Sequence, residues 1–370
     1  MKKKILLIIL ASISFLISIA QNNNEITILY LLPFHSQGNI PKISNLKNSE
    51  EIYQIKPFEM MGFWCGAKLA LQEYNQTNKK INVIVRDVVT DIYELQKILE
   101  DSVLMMKVDI IVGPFYGSLF SVAADYAKKH NKTIINPFST RFDFVENNPK
   151  VFKLVPSLTS RPETVDKVFL TSPDEYNIIL WCDTATTQEM NAFVVYFREK
   201  NIPFKEVISL SLLQNSKKKN LIISFIDNST RIIQSVHTFL SSEMDNNILI
   251  VPEKWFNLTE LTEDFYNLPH LYYFTDYFVN ENDTKVKEFK ADYLLSYGAP
   301  AELAAYSFQG YDITHYFIDL FFADFNTNNV IFNPLSYKFQ WKPIQNGGYE
   351  NTKTRLIRIK DFELKEITFE

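Results

Sequence analysis

Glycine and cysteine are scarce in this sequence, which has nine glycines and two cysteines among 370 residues. The phosphate-binding G-x-x-x-x-G-K-[ST], the dinucleotide-binding G-x-G-x-x-G, the zinc-protease H-E-x-x-H and the nucleophile elbow G-x-S-x-G are all absent. The five histidines fall on separate predicted elements and form no visible constellation. These absences weaken the case for an enzyme, and we predict a protein with no catalytic residues and no cofactor.

Two cysteines are too few to build a structural zinc site alone. Cys65 and Cys182 lie in apolar stretches that belong to different predicted elements. We expect two buried thiols, with a disulfide between them as the alternative.

Positive charge is limited as well, because 38 Lys and Arg residues face 43 Asp and Glu residues and leave a net charge of −5. The basic run Lys217–Lys219 is too short to follow a phosphate backbone and is typical of a solvated turn. We expect no nucleic-acid partner.

The N-terminus has the pattern of an export signal. Lys2–Lys4 form a basic region, Ile5–Ala20 is an uncharged and mostly apolar run, and small residues end it. A signal peptide over 1–20 would send the protein to the periplasm, and an uncleaved anchor is the alternative. Position 21 is Gln rather than Cys, so we do not expect a lipoprotein.

Short β-branched runs alternate with longer amphipathic segments along the rest of the chain, which predicts βαβ units and parallel sheets. The alternation restarts after Val151–Val155, so we predict two sheets in two lobes. A chain of this length suits two domains better than a single core.

Two of the nine glycines fall in the segment Gly113–Ser118, where a predicted strand turns into a helix. Such a turn places backbone N–H groups and a helix N-terminus at the carboxyl edge of the sheet, where they can hold a carboxylate. For Gly117 alone, a requirement of the tight turn is an equally good explanation.

Several segments resemble the type I periplasmic binding proteins of the leucine/isoleucine/valine-binding branch, whose fold is shared by receptor ligand-binding regions. They occur in family order across nearly all of the chain after residue 20. The matching segments are Phe63–Ala70, Asp109–Pro114, Ile134–Thr140, Ile250–Glu253 and Tyr306–Asp312.

The resemblance implies an α/β fold with two Rossmann-like lobes, parallel sheets and a hinge of three connecting strands. It also implies how the chain divides between the lobes. The expected divisions are 21–157 (first part of lobe 1), 158–273 (first part of lobe 2), 274–322 (completion of lobe 1) and 323–370 (completion of lobe 2 and a C-terminal tail).

The resemblance further implies a ligand site between the lobes. Ser118, with the turn that contains Gly117, and the second loop at Ser139 and Thr140 match positions that contact a ligand carboxylate. Glu253 matches the acid that pairs with a ligand ammonium; its alternative is a solvated acid that caps a helix before Lys254. The remaining candidates are two acids that follow second-lobe strands and two apolar walls: Asp183, Asp227, Tyr116 and Trp255.

Two features depart from the amino-acid binders. The polar loop Ser36–Lys56 is longer than in transport-type members, and the link Leu212–Lys219 is too short for a crossover helix, so its two flanking strands need not pair as usual. The leading hypothesis is a periplasmic solute-binding protein for an amino acid or similar small polar ligand, with an ABC-type permease as a possible partner. The alternatives are an envelope ligand sensor or scaffold with the same fold, and a hydrolase that uses Asp183 and Asp227.

Overall fold

The computed structural model describes residues 24–36, 38, 46, 47, 51, 60–88, 90–170, 175–183, 187–210, 218–241 and 247–367. The predicted signal peptide at 1–20 and most of the predicted loop Ser36–Lys56 lie outside these ranges. Every helix within them is too short or too polar to cross a bilayer.

The first lobe is built on a sheet of seven strands. These are β1 (Glu25–Leu32), β2 (Lys80–Asp87), β3 (Ile110–Val112), β4 (Thr133–Asn136), β5 (Val151–Lys153), β11 (Trp341–Pro343) and β12 (Tyr349–Asn351). Their spatial order is β11-β12-β5-β4-β3-β1-β2, and every neighbouring pair is parallel except β11 with β12.

The second lobe is built on another seven-stranded sheet. Its strands are β6 (Tyr176–Trp181), β7 (Phe204–Val207), β8 (Lys219–Ser224), β9 (Ile248–Val251), β10 (Leu271–Thr275), β13 (Arg355–Lys360) and β14 (Glu363–Glu366). The order is β14-β13-β10-β9-β8-β6-β7, with an antiparallel edge formed by β13 and β14. β7 and β8 both pair in parallel with β6, on opposite sides of it, and most of the predicted link Leu212–Lys219 lies outside the described residues.

Helices cover both sheets. In the described ranges they are α1 (Met60–Glu73), α2 (Ile92–Glu100), α3 (Ser102–Met105), α4 (Gly117–Lys129), α5 (Ser160–Phe169), α6 (Gln188–Glu199), α7 (Ser229–Ser241), α8 (Glu263–Tyr266), α9 (Thr284–Tyr297) and α10 (Ser307–Phe322). The helical segment 92–105 is broken at Asp101, whose carboxylate accepts a hydrogen bond from the Leu104 amide at 3.0 Å and caps the start of α3.

Strand β1 shows why the strands read as continuous apolar runs. Ile28 and Tyr30 belong to the core cluster that includes α1 and α10, whereas Leu29 and Leu31 belong to the cluster that includes α2 and α4. Successive strand residues point to opposite faces of the sheet, and helices cover both faces, so both sets of side chains are apolar. The prediction of two α/β lobes with mainly parallel sheets is confirmed.

The chain passes between the lobes three times, at 154–159, 276–283 and 352–354. One predicted division is wrong: residues 341–351 were assigned to the second lobe, but β12 pairs with β5 and completes the first sheet. A strand of three residues carries too little pattern to show which sheet it joins.

The positions of two glycines in the first lobe have a packing explanation, because both lie where α1 crosses α10. A Cβ added at Gly66 would overlap the carbonyl oxygen of Ser307, and one at Gly310 would overlap the carbonyl oxygen of Phe63. These two glycines let the helix backbones come closer than any side chain would permit.

The thiol prediction is confirmed. Cys65 is buried in α1 of the first lobe and Cys182 follows β6 in the second, and no disulfide joins them.

A buried ion pair joins β5 and β12, the two strands of the first sheet that lead into the first and third crossings. The Lys153 ammonium lies 3.0 Å from the Glu350 carboxylate, and their side chains are 0% and 7% exposed. Glu350 also accepts hydrogen bonds from the Ser157 hydroxyl and, at 2.9 Å, from the Ser157 amide. A nearly water-free charge pair therefore anchors the first crossing to the first sheet through Ser157.

Candidate functional site

The turn after β3 has the geometry predicted from its glycines. Gly113 has φ of +85°, and its amide donates to the Ile135 carbonyl at 3.0 Å. Helix α4 then begins at Gly117, with Ser118 exposed in its first turn. The first amides of a helix have no acceptor within it, so this edge of the first sheet presents N–H groups and a hydroxyl together.

The loop after β4 lies beside this turn. The Asn136 side chain accepts from the Ser139 amide at 2.8 Å, and the Ser139 hydroxyl accepts from the Arg141 amide at 3.2 Å. Thr140 is exposed. A Cβ built at Gly117 would lie 3.5 Å from Arg141 Nη1, so the two loops are in contact.

Arg141 was not predicted. Its guanidinium pairs with Asp143 and reaches the start of α4, so N–H donors of Arg141 lie beside the first amides of that helix. The contact between Arg141 and α4 is visible only in the structure. In the sequence, an Arg two residues before an Asp is typical of an ordinary surface ion pair.

Aromatic rings fill the space behind these two loops. Phe115 packs edge-to-face against Phe63 at 5.1 Å and against Phe138 at 5.0 Å, and Phe138 contacts Tyr306 at 4.7 Å. Tyr116 points elsewhere and is 38% exposed. The edge of the first lobe therefore combines polar groups in front with an apolar aromatic layer behind.

Glu253 directly follows Pro252 at the carboxyl end of β9 and begins a short 3₁₀ turn. The residue is exposed to solvent, yet the surrounding protein raises its pKa, and the charge of Asp276 raises it further. A hydrogen bond with Thr275 and the charge of Arg161 act in the opposite direction. A cation placed beside Glu253 would relieve the repulsion from Asp276.

Glu253 lies at a small pocket of about 210 Å³ at the same edge of the second sheet. Arg161, from the first turn of α5, pairs with Glu189 at 2.5 Å and lies over the Phe274 ring at 5.6 Å. Ser224, at the end of β8, completes the polar lining. The pocket thus has acidic, basic and apolar groups in its lining, and its volume suits a small polar molecule.

Asp276 and Tyr277 are functional candidates that the sequence analysis missed. They come directly after β10, at the start of the second crossing. Burial raises the pKa of Asp276, while the charges of Arg161 and Lys153 lower it. Burial also raises the pKa of Tyr277, as do the charges of Glu253 and Tyr306. The rule that selected Asp183 and Asp227, an acid just after a second-lobe strand, would have selected Asp276.

Asp183 and Asp227 lie at the same sheet edge and close to each other, since the Asp227 amide donates to the Asp183 carboxylate at 3.4 Å. Each carboxylate already has a cation: Arg231 pairs with Asp183, and Lys254 pairs with Asp227. The structure thus brings the two predicted acids together at one sheet edge, each with a cationic partner.

The prediction that Trp255 forms an apolar wall of the ligand site is wrong. Its side chain is 0% exposed, packs edge-to-face against Trp181 at 5.8 Å and donates from Nε1 to the Ile226 carbonyl at 3.1 Å. The 3₁₀ turn that begins at Glu253 rotates Trp255 into the core below the sheet. The sequence shows the aromatic residue but not the direction in which a short turn points it.

The structure thus gathers Tyr116, Gly117, Ser118, Ser139 and Thr140 at the edge of the first sheet. It gathers Asp183, Asp227 and Glu253 at the edge of the second. Within the described ranges, no group of three or more His, Cys, Asp or Glu side chains is arranged to hold a metal ion. The arrangement suits charge recognition of a small molecule.

No protein-family profile and no curated protein sequence matches the chain, but many solved structures do. A putative branched-chain amino acid ABC transporter protein from Rhodospirillum rubrum aligns with a TM-score of 0.61 and 13% identity, over 93% of this chain and 99% of that one. An ABC transporter substrate-binding protein from Desulfitobacterium hafniense, solved in complex with Leu, aligns with a TM-score of 0.55 and 16% identity, over 93% and 100%.

The C-domain of LpoA from Haemophilus influenzae, described as a regulator of PBP1A, aligns with a TM-score of 0.56 and 13% identity, over 92% and 100%. At identities this low, these structural alignments establish a shared fold and nothing more. The two sheets, their strand order and the three crossings agree with that fold. The chain therefore has the type I periplasmic binding-protein fold.

Proposed function

We propose that this protein is exported to the periplasm, where it holds an amino acid or a similar small polar solute between its two lobes and performs no chemistry on it. The observation that carries the proposal is the placement of opposite polar groups at the two sheet edges. Exposed amides and the Ser118 hydroxyl stand at one edge, and Glu253 stands at the other. In open α/β sheets this edge is where ligands bind.

An amino acid has a carboxylate that suits the donors at the first sheet edge and an ammonium that suits the acid at the second. Its carboxylate would accept from the first turn of α4 and from Ser118, Ser139 and Thr140, with N–H donors of Arg141 beside them. Its ammonium would donate to Glu253, and closure of the lobes about the three crossings would remove water from both contacts. Each charge-assisted hydrogen bond is then worth about 1.5–3 kcal/mol.

The first test is a thermal-shift screen of purified protein against amino acids, followed by calorimetric titration of any hit. A ligand at 100 times its Kd stabilises the folded state by about 2.7 kcal/mol. Glu253→Gln should weaken an amino-acid ligand about 10- to 100-fold, because 1.4 kcal/mol corresponds to tenfold in affinity. Glu260→Gln, an exposed acid in the same region, is the matched control and should leave affinity unchanged.

Ser118→Ala tests the opposite lobe independently. It should weaken the same ligand by removing one hydroxyl donor while the backbone amides remain. Normal affinity in both Glu253→Gln and Ser118→Ala would refute this site.

A solute-binding protein of this kind would deliver its ligand to a membrane permease of an ABC-type importer, and we propose such a partner. Co-purification of the ligand-loaded protein with membranes of the source organism would support it. A ligand-independent interaction would not.

An envelope sensor or scaffold is the second candidate. The buried Lys153–Glu350 pair lies where β5 and β12 lead into the first and third crossings, and loss of one partner of such a pair is costly, so the base of the hinge is firmly held. The LpoA C-domain has the same fold. A blank ligand screen, together with a small-angle scattering profile that no small molecule changes, would favour this role over transport.

A further inference from the structure

A second cavity, of about 560 Å³, lies in the first lobe beside the hinge and shares no lining residue with the pocket at Glu253. The second half of α10 contributes Tyr316, the loop that follows α10 contributes Thr327 and Asn328, and the third crossing contributes Lys353. The cavity therefore borders a segment that connects the two lobes.

Three aromatic side chains, Tyr316, Phe339 and Trp341, line one part of this cavity. Phe339 and Trp341 are two residues apart in an extended segment, and their rings are nearly parallel, with an interplanar angle of 6° and centroids 5.9 Å apart. Tyr316 packs on Phe339 at 4.0 Å and accepts a hydrogen bond from Trp341 Nε1 at 2.6 Å, which holds the indole in place. The negative face of such rings attracts the C–H groups on the apolar face of a sugar ring.

One side of the cavity carries an excess of positive charge. Lys338 and Arg355 share the carboxylate of Glu366, at 2.9 and 2.6 Å. Burial lowers the pKa of the nearby Lys353, and the charge of Lys338 lowers it further. Lys338 and Lys353 both line the cavity, whereas the carboxylate nearest to them, Glu366, is also paired with the buried Arg355, so a carboxylate brought by a ligand would be attracted.

The remaining polar lining consists of uncharged groups at the opposite side: Thr327, Asn328 and Gln340. Hydroxyl and amide groups exchange hydrogen bonds with the hydroxyls of a sugar in either direction. We propose that this cavity is a second binding site, which takes a carboxylated sugar with its ring on Phe339 and Trp341 and its carboxylate at Lys338 and Lys353.

The test is calorimetric titration of the purified protein with tetragalacturonate at low ionic strength, with cellotetraose as the neutral probe. We expect binding of the acidic oligosaccharide, at least tenfold weaker binding of the neutral one, and loss of affinity as salt rises. Lys353→Gln should weaken the acidic probe about tenfold or more. Lys342→Gln, which removes an exposed lysine outside the cavity lining, is the matched control and should bind normally.

Thermal unfolding of both variants checks that Lys353→Gln is folded, and Trp341→Leu tests the stacking surface separately. Glu253→Gln should bind the acidic probe normally, so failure of the amino-acid site would not affect this result. Equal binding of both oligosaccharides, or normal binding by folded Lys353→Gln, would overturn the proposal. No binding of tetragalacturonate, or binding only of an aromatic acid such as benzoate, would overturn it as well.

Discussion

Replacing Lys153 by Met tests how much the buried hinge pair contributes to stability. The substitution keeps the length of the side chain but removes the ammonium that faces Glu350 at 3.0 Å. Removing one partner of a buried pair typically costs about 3–5 kcal/mol, because the other charge remains buried without compensation. Since Ser157 still donates two hydrogen bonds to Glu350, we expect a loss near 3 kcal/mol.

The assay is urea unfolding followed by circular dichroism. With an m-value of about 3 kcal/mol/M, this loss lowers the midpoint by about 1 M. Lys167→Met is the matched control, because Lys167 forms an exposed i,i+4 pair with Glu163, and such pairs are worth about 0.3–0.5 kcal/mol.

The double substitution Lys153→Met with Glu350→Gln provides the second comparison. It leaves no unpaired charge, while the amide oxygen of the new side chain can still accept from Ser157. Its loss of stability should be smaller than the sum of the two single losses by at least about 1 kcal/mol. Additive losses, or a Lys153→Met midpoint equal to that of Lys167→Met, would refute the reasoning.

Three further predictions concern other parts of the molecule. Gly66→Ala should destabilise the protein by more than about 2 kcal/mol in urea unfolding, because its Cβ would overlap a backbone carbonyl, whereas Gly117→Ala has room and should cost less than half as much. Hydrogen bonds to Asp319 and Glu73 outweigh the effect of burial and raise the pKa of His315 to about 9. The stability contributed by protonated His315 should therefore be fully present below pH 6.5 and lost as the pH rises through 9, so the urea midpoints of wild type and His315→Gln should converge at high pH; a constant difference would contradict this. Trp255→Phe should lower thermal stability but leave ligand affinity unchanged, and weaker binding would restore Trp255 to the site.

The fold was largely predictable because its strongest signals are local. β1 and β9 read as apolar runs, and the helical segments have the 3.6-residue period, so two α/β lobes follow from the pattern alone. The start of α4 was also predictable, because Gly113 takes the left-handed conformation that such a turn requires. The break at Asp101 was missed, since the apolar period continues across it.

The candidate site was predictable only in part. Residues at the start of the helix or turn that follows a strand, such as Ser118 and Glu253, could be placed at a sheet edge from their position in the chain. Arg161 and Arg141 could not, because their contacts with Phe274 and with the start of α4 depend on how the loops fold back. Trp255 was placed wrongly for the same reason.

The sequence by itself determined the two-lobe architecture and the sheet edges at which most of its candidate residues lie, because these depend on periodicity and chain order. Only the tertiary structure decided which charges are already paired, which aromatic side chains are buried, and that 341–351 completes the first sheet. The physical reason is that pairing and burial depend on residues distant in sequence. Lys153 and Glu350 are 197 positions apart and meet only because β5 and β12 are neighbours.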